Sequence, residues 1–217
     1  MKAREALVRM MLGVGVTLVG VGAYATWLAV ARPPAFHGTA YEPAPAAEFR
    51  LADTQGRPVT LASFRGAPTL LFFGYTKCTD FCPLTLDRLS RAVRELGSKA
   101  EGARIVFVTV DPAHDTPEVL RQYVARFGAS VTALTGDSAA LAAAWKGYGV
   151  YAIPNAPASP AAAHGGHHGE HGPAAPGALT HSGVVYGIDR AGNLRVIITE
   201  SAPLESMRDD IRTLARL

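Results

Sequence analysis

Residues 68–96, "PTLLFFGYTKCTDFCPLTLDRLSRAVREL", decide the fold. The first part, residues 68–76, is a nearly continuous apolar run of strand length. Without polar alternation, such a run suits a strand buried on both faces at the centre of a sheet. From Pro83 onward the period changes. Leu86, Leu89, Val93 and Leu96 recur at helical spacing, and Gly97 closes the helix. Between strand and helix lie Cys78 and Cys82, the only cysteines in the chain, with three residues between them.

Working outward, the alternation of strand and helix repeats. Upstream, "FRLADTQGRPVTLASFRG" (49–66) holds two short apolar runs around Asp53-Thr54-Gln55-Gly56, a hairpin signal. Downstream, "ARIVFVTVD" (103–111) reads as a second buried strand. "TPEVLRQYVARFG" (116–128) reads as a helix capped by Thr116, with Pro117 at its first position and Gly128 beyond its end. "VTALTGD" (131–137) is a short strand and 138–147 a helix. "GVVYGID" and "LRVIIT" flank the turn "RAGN" (190–193), and 203–217 is a final helix. This order predicts an α/β domain with a central sheet, helices on both faces, and antiparallel strands added by the terminal hairpin. Residues 154–177, "PNAPASPAAAHGGHHGEHGPAAPG", interrupt it as a low-complexity loop insertion.

The chain of 217 residues is 48% hydrophobic and 18% charged, so it can bury one ordinary core. Its net charge of +3 comes from residues 1–32, where four basic side chains face one acidic; the rest is balanced. No basic face remains for nucleic acid. Met10 to Ala31 is uncharged over 22 residues, long enough at 1.5 Å per residue to span a hydrocarbon core of about 30 Å. Residues 1–32 therefore read as a cytoplasmic tip and a single-pass anchor in the cytoplasmic membrane. A cleaved signal peptide is the rival, with a shorter apolar stretch expected of it. With positive charge kept inside, everything after residue 32 faces the periplasm or another extracytoplasmic space. Residues 33–47, rich in Pro and Ala, read as a semi-extended tether, and 48–217 as the folded domain.

Placement outside the cytoplasm sharpens the cysteine question. Free thiols there are driven towards disulfides, so the pair is a staple, a redox pair kept reduced by a partner, or a metal site. If Cys78 stands near the helix start, Cys82 lies one turn on, and both sulfurs share a face where the helix N-terminus favours thiolates. Thiolates select Cu(I) or Zn, and a closed structural zinc site wants four ligands. Two sulfurs and one imidazole suit copper as Cu(I) or Cu(II). His181, just after the insertion and before a strand, is the candidate third ligand; read by spacing alone it is more simply a loop histidine without a ligand role. His164, His167, His168 and His171 could hold metal weakly, or the insertion could be a solvated spacer. Asp111 ends a strand and Asp115-Thr116-Pro117 starts a helix, so these read as structural; Tyr75 and Phe81 read as packing around the cysteines, and His37 and His114 as surface groups.

Three stretches together, "LLFFGYTKCTDFCPLTL" (70–86), "VFVTVDPAHDTPEVLRQYVARFG" (106–128) and "HSGVVYGIDRAGNL" (181–194), resemble the SCO/SenC family over roughly residues 46–217, the insertion apart. The resemblance implies a thioredoxin-like fold, a membrane anchor, and service in assembly of the CuA centre of cytochrome c oxidase subunit II. It also implies copper held by Cys78, Cys82 and His181. Two departures stand out. Thr79-Asp80 replaces the family's Pro-Asp after the first cysteine, and Thr180 replaces its usual Asp before the histidine. The leading expectation is a metallochaperone rather than a turnover enzyme. Its partners would be the CuA domain and another periplasmic copper chaperone or thiol-disulfide reductase. The alternative makes Cys78 and Cys82 the redox pair of a thiol-disulfide reductase that keeps the CuA cysteines reduced. A peroxiredoxin-type peroxidase and a passive copper buffer are weaker rivals.

Overall fold

The computed structural model describes residues 2–30, 35–150 and 183–217, in two units that divide after Ala35. In the first unit, helix α1 runs Lys2–Val30. Its described side chains, at 10, 11 and 13–26, are all exposed, and apolar ones such as Val16, Leu18, Val19 and Val21 point to different sides. The contiguous described stretch, 13–26, rises about 21 Å. Among the described residues no helix is long and apolar enough to cross a membrane. The expected span at 10–31 extends beyond that stretch, into residues that lie outside the described ones.

The second unit is built on one mixed sheet. Its strands are β1 (Thr39–Pro45), β2 (Arg50–Asp53), β3 (Pro58–Thr60), β4 (Thr69–Gly74), β5 (Arg104–Thr109), β6 (Val131–Thr135), β7 (Val184–Ile188) and β8 (Asn193–Thr199), in the spatial order β1-β8-β7-β4-β5-β6-β2-β3. β4, β5 and β6 are parallel, and β4 meets β7 antiparallel. The apolar run 69–74 is thus a central strand, as expected, and all six of its residues are buried. Its alternate side chains face two cores. Leu70 and Phe72 pack with Ile105 and Phe107 beneath helices α2 (Phe81–Leu96), α3 (Pro117–Ala125) and α5 (Leu204–Ala215). Leu71 and Phe73 pack with Val106 and Val108 on the opposite face, under α4 (Ser138–Gly147) and the β2–β3 hairpin.

One segment departs from expectation. Within the expected tether of 33–47, Thr39–Pro45 form β1, paired antiparallel with β8. Asp210 on α5, fully buried, accepts the N–H groups of His37 at 2.6 Å and Gly38 at 3.0 Å, which fixes the approach to that strand. The folded domain therefore begins near Phe36 rather than residue 48. The insertion at 154–177 lies outside the described residues.

Candidate metal centre

The cysteine loop joins the end of β4 to the start of α2. Gly74, the last residue of β4, has no side chain because there is no room for one. A Cβ there would stand 2.7 Å from the Phe107 ring and 2.9 Å from the Cys82 sulfur. The sulfur of Cys82 is thus seated against bare backbone, and the residue is fully buried. Cys78 is half-buried, in a turn closed by its own N–H donating to the Tyr75 carbonyl at 3.3 Å. Helix α2 starts at Phe81, so Cys78 precedes it, and the expected one-turn relation within the helix does not hold. The sulfurs are brought together differently: the Cys82 N–H donates to the Cys78 sulfur at 3.3 Å. Asp80, at the N-cap position, makes no side-chain cap. Cys78 Sγ stands in for a capping oxygen at one of the helix's free N–H groups.

The hydrogen bond with Cys78, burial, and the negative charge of the neighbouring sulfur together push the Cys82 thiol far above its ordinary range; the Tyr75 N–H opposes them. Tyr123 of α3 belongs to the same core cluster. Burial, then charge on Cys82 and Cys78, pushes its phenol up, and its hydroxyl is buried without a hydrogen-bond partner. Cys82 is thus the fully buried sulfur of the pair and Cys78 the more accessible one. In the reduced, metal-free protein, iodoacetamide is expected to alkylate Cys78 at least about tenfold faster than Cys82, because the thiolate is the nucleophile. Mass spectrometry of timed quenches checks this, and equal rates would refute the buried position of Cys82.

Beside the loop lies a polar network that sequence reasoning treated as a helix start. Thr116 does cap α3, accepting the Val119 N–H at 3.3 Å, with Pro117 first in the helix. Asp115 does more. Its carboxylate, buried at 1% exposure, accepts from Thr76 and from Thr109 across the ends of β4 and β5. Asp111 pairs with the exposed His114 at 2.9 Å. At the same end of the sheet, where β7 begins beside the end of β4, the Glu200 carboxylate fills the space that a side chain at Gly183 would occupy, and the Glu200 N–H donates to the Gly183 carbonyl at 2.9 Å. The only sequence signal for Asp115 was its place in a D-x-x-x-D-T-P run directly after a buried strand.

The structure thus brings Cys78 and Cys82 together. The expected third ligand, His181, and the weaker candidates His164, His167, His168 and His171 lie outside the described residues. Among the described residues no group of three or more His, Cys, Asp or Glu side chains could hold a metal ion.

A family model described as SCO1/SenC matches residues 38–216. The chain is 38% identical over 104 residues to the mitochondrial protein SCO2 of Saccharomyces cerevisiae, a match covering 48% of this chain and 35% of that protein. It spans about a third to a half of the length of the curated relatives it matches. The copper-bound structure of Bradyrhizobium japonicum ScoI superposes with a TM-score of 0.63 at 30% identity, over 77% of this chain and 98% of that one. The solution structure of apo Sco1 from Thermus thermophilus gives a TM-score of 0.66 at 31% identity, over 84% and 98%. The mixed sheet flanked by helices is the thioredoxin-like arrangement these proteins share.

Proposed function

The chain belongs to the SCO1/SenC family, and from that membership we propose that it is a membrane-anchored copper metallochaperone that carries copper to the CuA centre of cytochrome c oxidase subunit II. The observation that carries this reading is the pair of sulfurs brought together at the β4–α2 junction, one fully buried and one half-buried. Two thiolates are soft donors that select Cu(I), and imidazole accepts either copper state. Copper is the cargo, held by Cys78, Cys82 and, from beyond the insertion, His181. A carrier must release what it binds. An accessible ligand on a loop lets an incoming thiolate displace the sulfurs one at a time, Cys78 first, while buried Cys82 retains the ion until the exchange is complete.

The anchor is part of the same proposal. Helix α1 exposes apolar side chains on all sides, a pattern that suits a lipid surrounding. Lys2, Arg4 and Arg9 in its first turns, ahead of the apolar run, favour a domain outside the cytoplasm. The domain would then work at the face where an oxidase exposes its copper site, beside another copper chaperone or a thiol-disulfide reductase.

A second reading uses the same inequality of the two thiols. As a reductase, the Cys78 thiolate attacks a partner disulfide, forms a mixed disulfide and expels one partner thiolate. Cys82 then gives up its proton and attacks the Cys78 sulfur, releasing the second partner thiol and leaving a Cys78–Cys82 disulfide. Two electrons pass from this pair to the partner.

Copper titration of the reduced protein with X-ray absorption separates the readings. The expected result is one tightly held copper with two sulfur neighbours, and its loss on His181→Ala. A first shell without sulfur sinks the copper reading. Reductase activity that survives His181→Ala while tight copper binding was never present would install the second.

A further inference from the structure

We propose that Asp115 is the positioning residue of the cysteine loop: acting through Thr76, its carboxylate fixes the turn that sets the Cys78 sulfur over the Cys82 N–H. In its bearing on copper this rests on the reading above. Its geometric content stands without metal.

Asp115 is buried, and each of its partners is a neutral donor. The Thr76 N–H lies 3.2 and 3.3 Å from the two carboxylate oxygens, the Thr76 hydroxyl at 2.5 Å, and the Thr109 hydroxyl at 2.6 Å. Among the described residues no Lys, Arg or His pairs with it. A buried carboxylate without a cation costs several kcal/mol unless hydrogen bonds satisfy it, so an acid kept here needs a task. Helix α3 does not supply one. Thr116 caps that helix with its own hydroxyl, and the backbone of the preceding turn is held by the Asp115 N–H donating to the Asp111 carbonyl at 2.9 Å. Nor do the strands require it, since the Val110 N–H already bonds the Gly74 carbonyl at 2.8 Å.

What remains is Thr76. It is two residues from Cys78 and sits inside the turn closed by the Cys78 N–H on the Tyr75 carbonyl. Both hydrogen-bonding groups of Thr76 that point away from that turn, its amide and its hydroxyl, end on one carboxylate, and bonds to an ionised acceptor are about twice as strong as neutral ones. The loop is thereby tied to the rigid junction of β5 and α3, 39 residues away in sequence.

The test uses the full chain, reduced, with Thr76→Val, Thr76→Ser, Thr109→Val and Asp115→Asn. Two readouts need no copper: the alkylation rate of Cys78 and the hydrogen exchange of the Cys82 amide that donates to it. A third is Cu(I) affinity by competition with a chromophoric chelator. Thr76→Val and Asp115→Asn are expected to change the alkylation rate and to speed the Cys82 exchange by tenfold or more, and to weaken Cu(I) by tenfold or more. Thr76→Ser, which keeps the hydroxyl, should stay within threefold of the parent. Thr109→Val, which loosens Asp115 only from the strand side, should do the same. Alkylation and exchange within twofold of the parent in Thr76→Val overturn the proposal, as does an equal effect from Thr109→Val. If Asp115→Asn does not fold, Thr76→Val decides alone. If the parent takes up no copper, the copper reading fails while the exchange and alkylation arms still decide this one.

Discussion

Gly74→Ala is expected to be among the most damaging single-methyl changes in the domain. The added carbon would stand 2.7 Å from the Phe107 ring and 2.9 Å from the Cys82 sulfur, both inside van der Waals contact. Neither neighbour can step aside easily. Phe107 is fully buried between Phe72 and Tyr123, with ring centroids 6.0 and 5.5 Å away, and Cys82 is fixed on the first turn of α2. Overpacking of this kind costs about 2–3 kcal/mol. For a chain of this size that lowers the melting temperature by roughly 4–12 °C. Because the sulfur itself is displaced, Cu(I) affinity should fall by about tenfold or more, beyond what the stability loss explains. Calorimetry and chelator competition check the two halves. A variant that melts within a degree of the parent would mean that the Cys82 sulfur is not seated against Gly74.

Cys82→Ala should show the reverse pattern: a large loss of binding with a small loss of fold. Removing one buried sulfur leaves a small cavity beside Gly74 and costs about 1 kcal/mol. The same sulfur as ligand is worth far more. A four-ligand thiolate and imidazole site binds its metal with about 10–16 kcal/mol, or about 3 per ligand, which is about two orders of magnitude in affinity. Cu(I) competition should register that loss while the melting curve barely moves. Cys78→Ala is expected to match it in affinity and also to free the Cys82 N–H, visible as faster amide exchange. If Cys82→Ala binds Cu(I) as tightly as the parent, Cys82 is not a ligand and the metallochaperone assignment loses its inner sulfur.

The sequence was most readable where burial is two-sided or strictly periodic. The run 69–74 announced a central strand because Leu70 to Phe73 are consecutively apolar, without polar alternation. Leu86, Leu89 and Leu96 announced α2 because one helical face carries the core contacts. β1 was hidden for the opposite reason. All seven residues of "TAYEPAP" are exposed, so no apolar period marks them, and what makes them a strand is backbone pairing with β8, some 150 residues away. The two cysteines were legible as a pair, but not the three-residue shift that puts Cys78 ahead of the helix start at Phe81. That shift depends on the unusual backbone of Asp80, at φ −124° and ψ −80°, which no residue-type rule encodes. Asp115 and Gly74 were illegible as site residues. Their roles come from contacts with Thr76 and Cys82 that only the folded chain creates.

The two ends of the sheet also decide how this domain can meet others. β1 and β3 are its outer strands, the first carrying Pro43 and Pro45 and the second, three residues long, opening on Pro58. Proline withholds the N–H that a docking strand would need, and a short edge offers few carbonyls in return. Strand addition, the commonest route by which open sheets stick to each other, is therefore discouraged on both flanks at once. A protein that must present reactive thiols repeatedly without polymerising gains from such blunted margins. Encounters are steered to the ends of the strands, where the loop bearing Cys78 emerges.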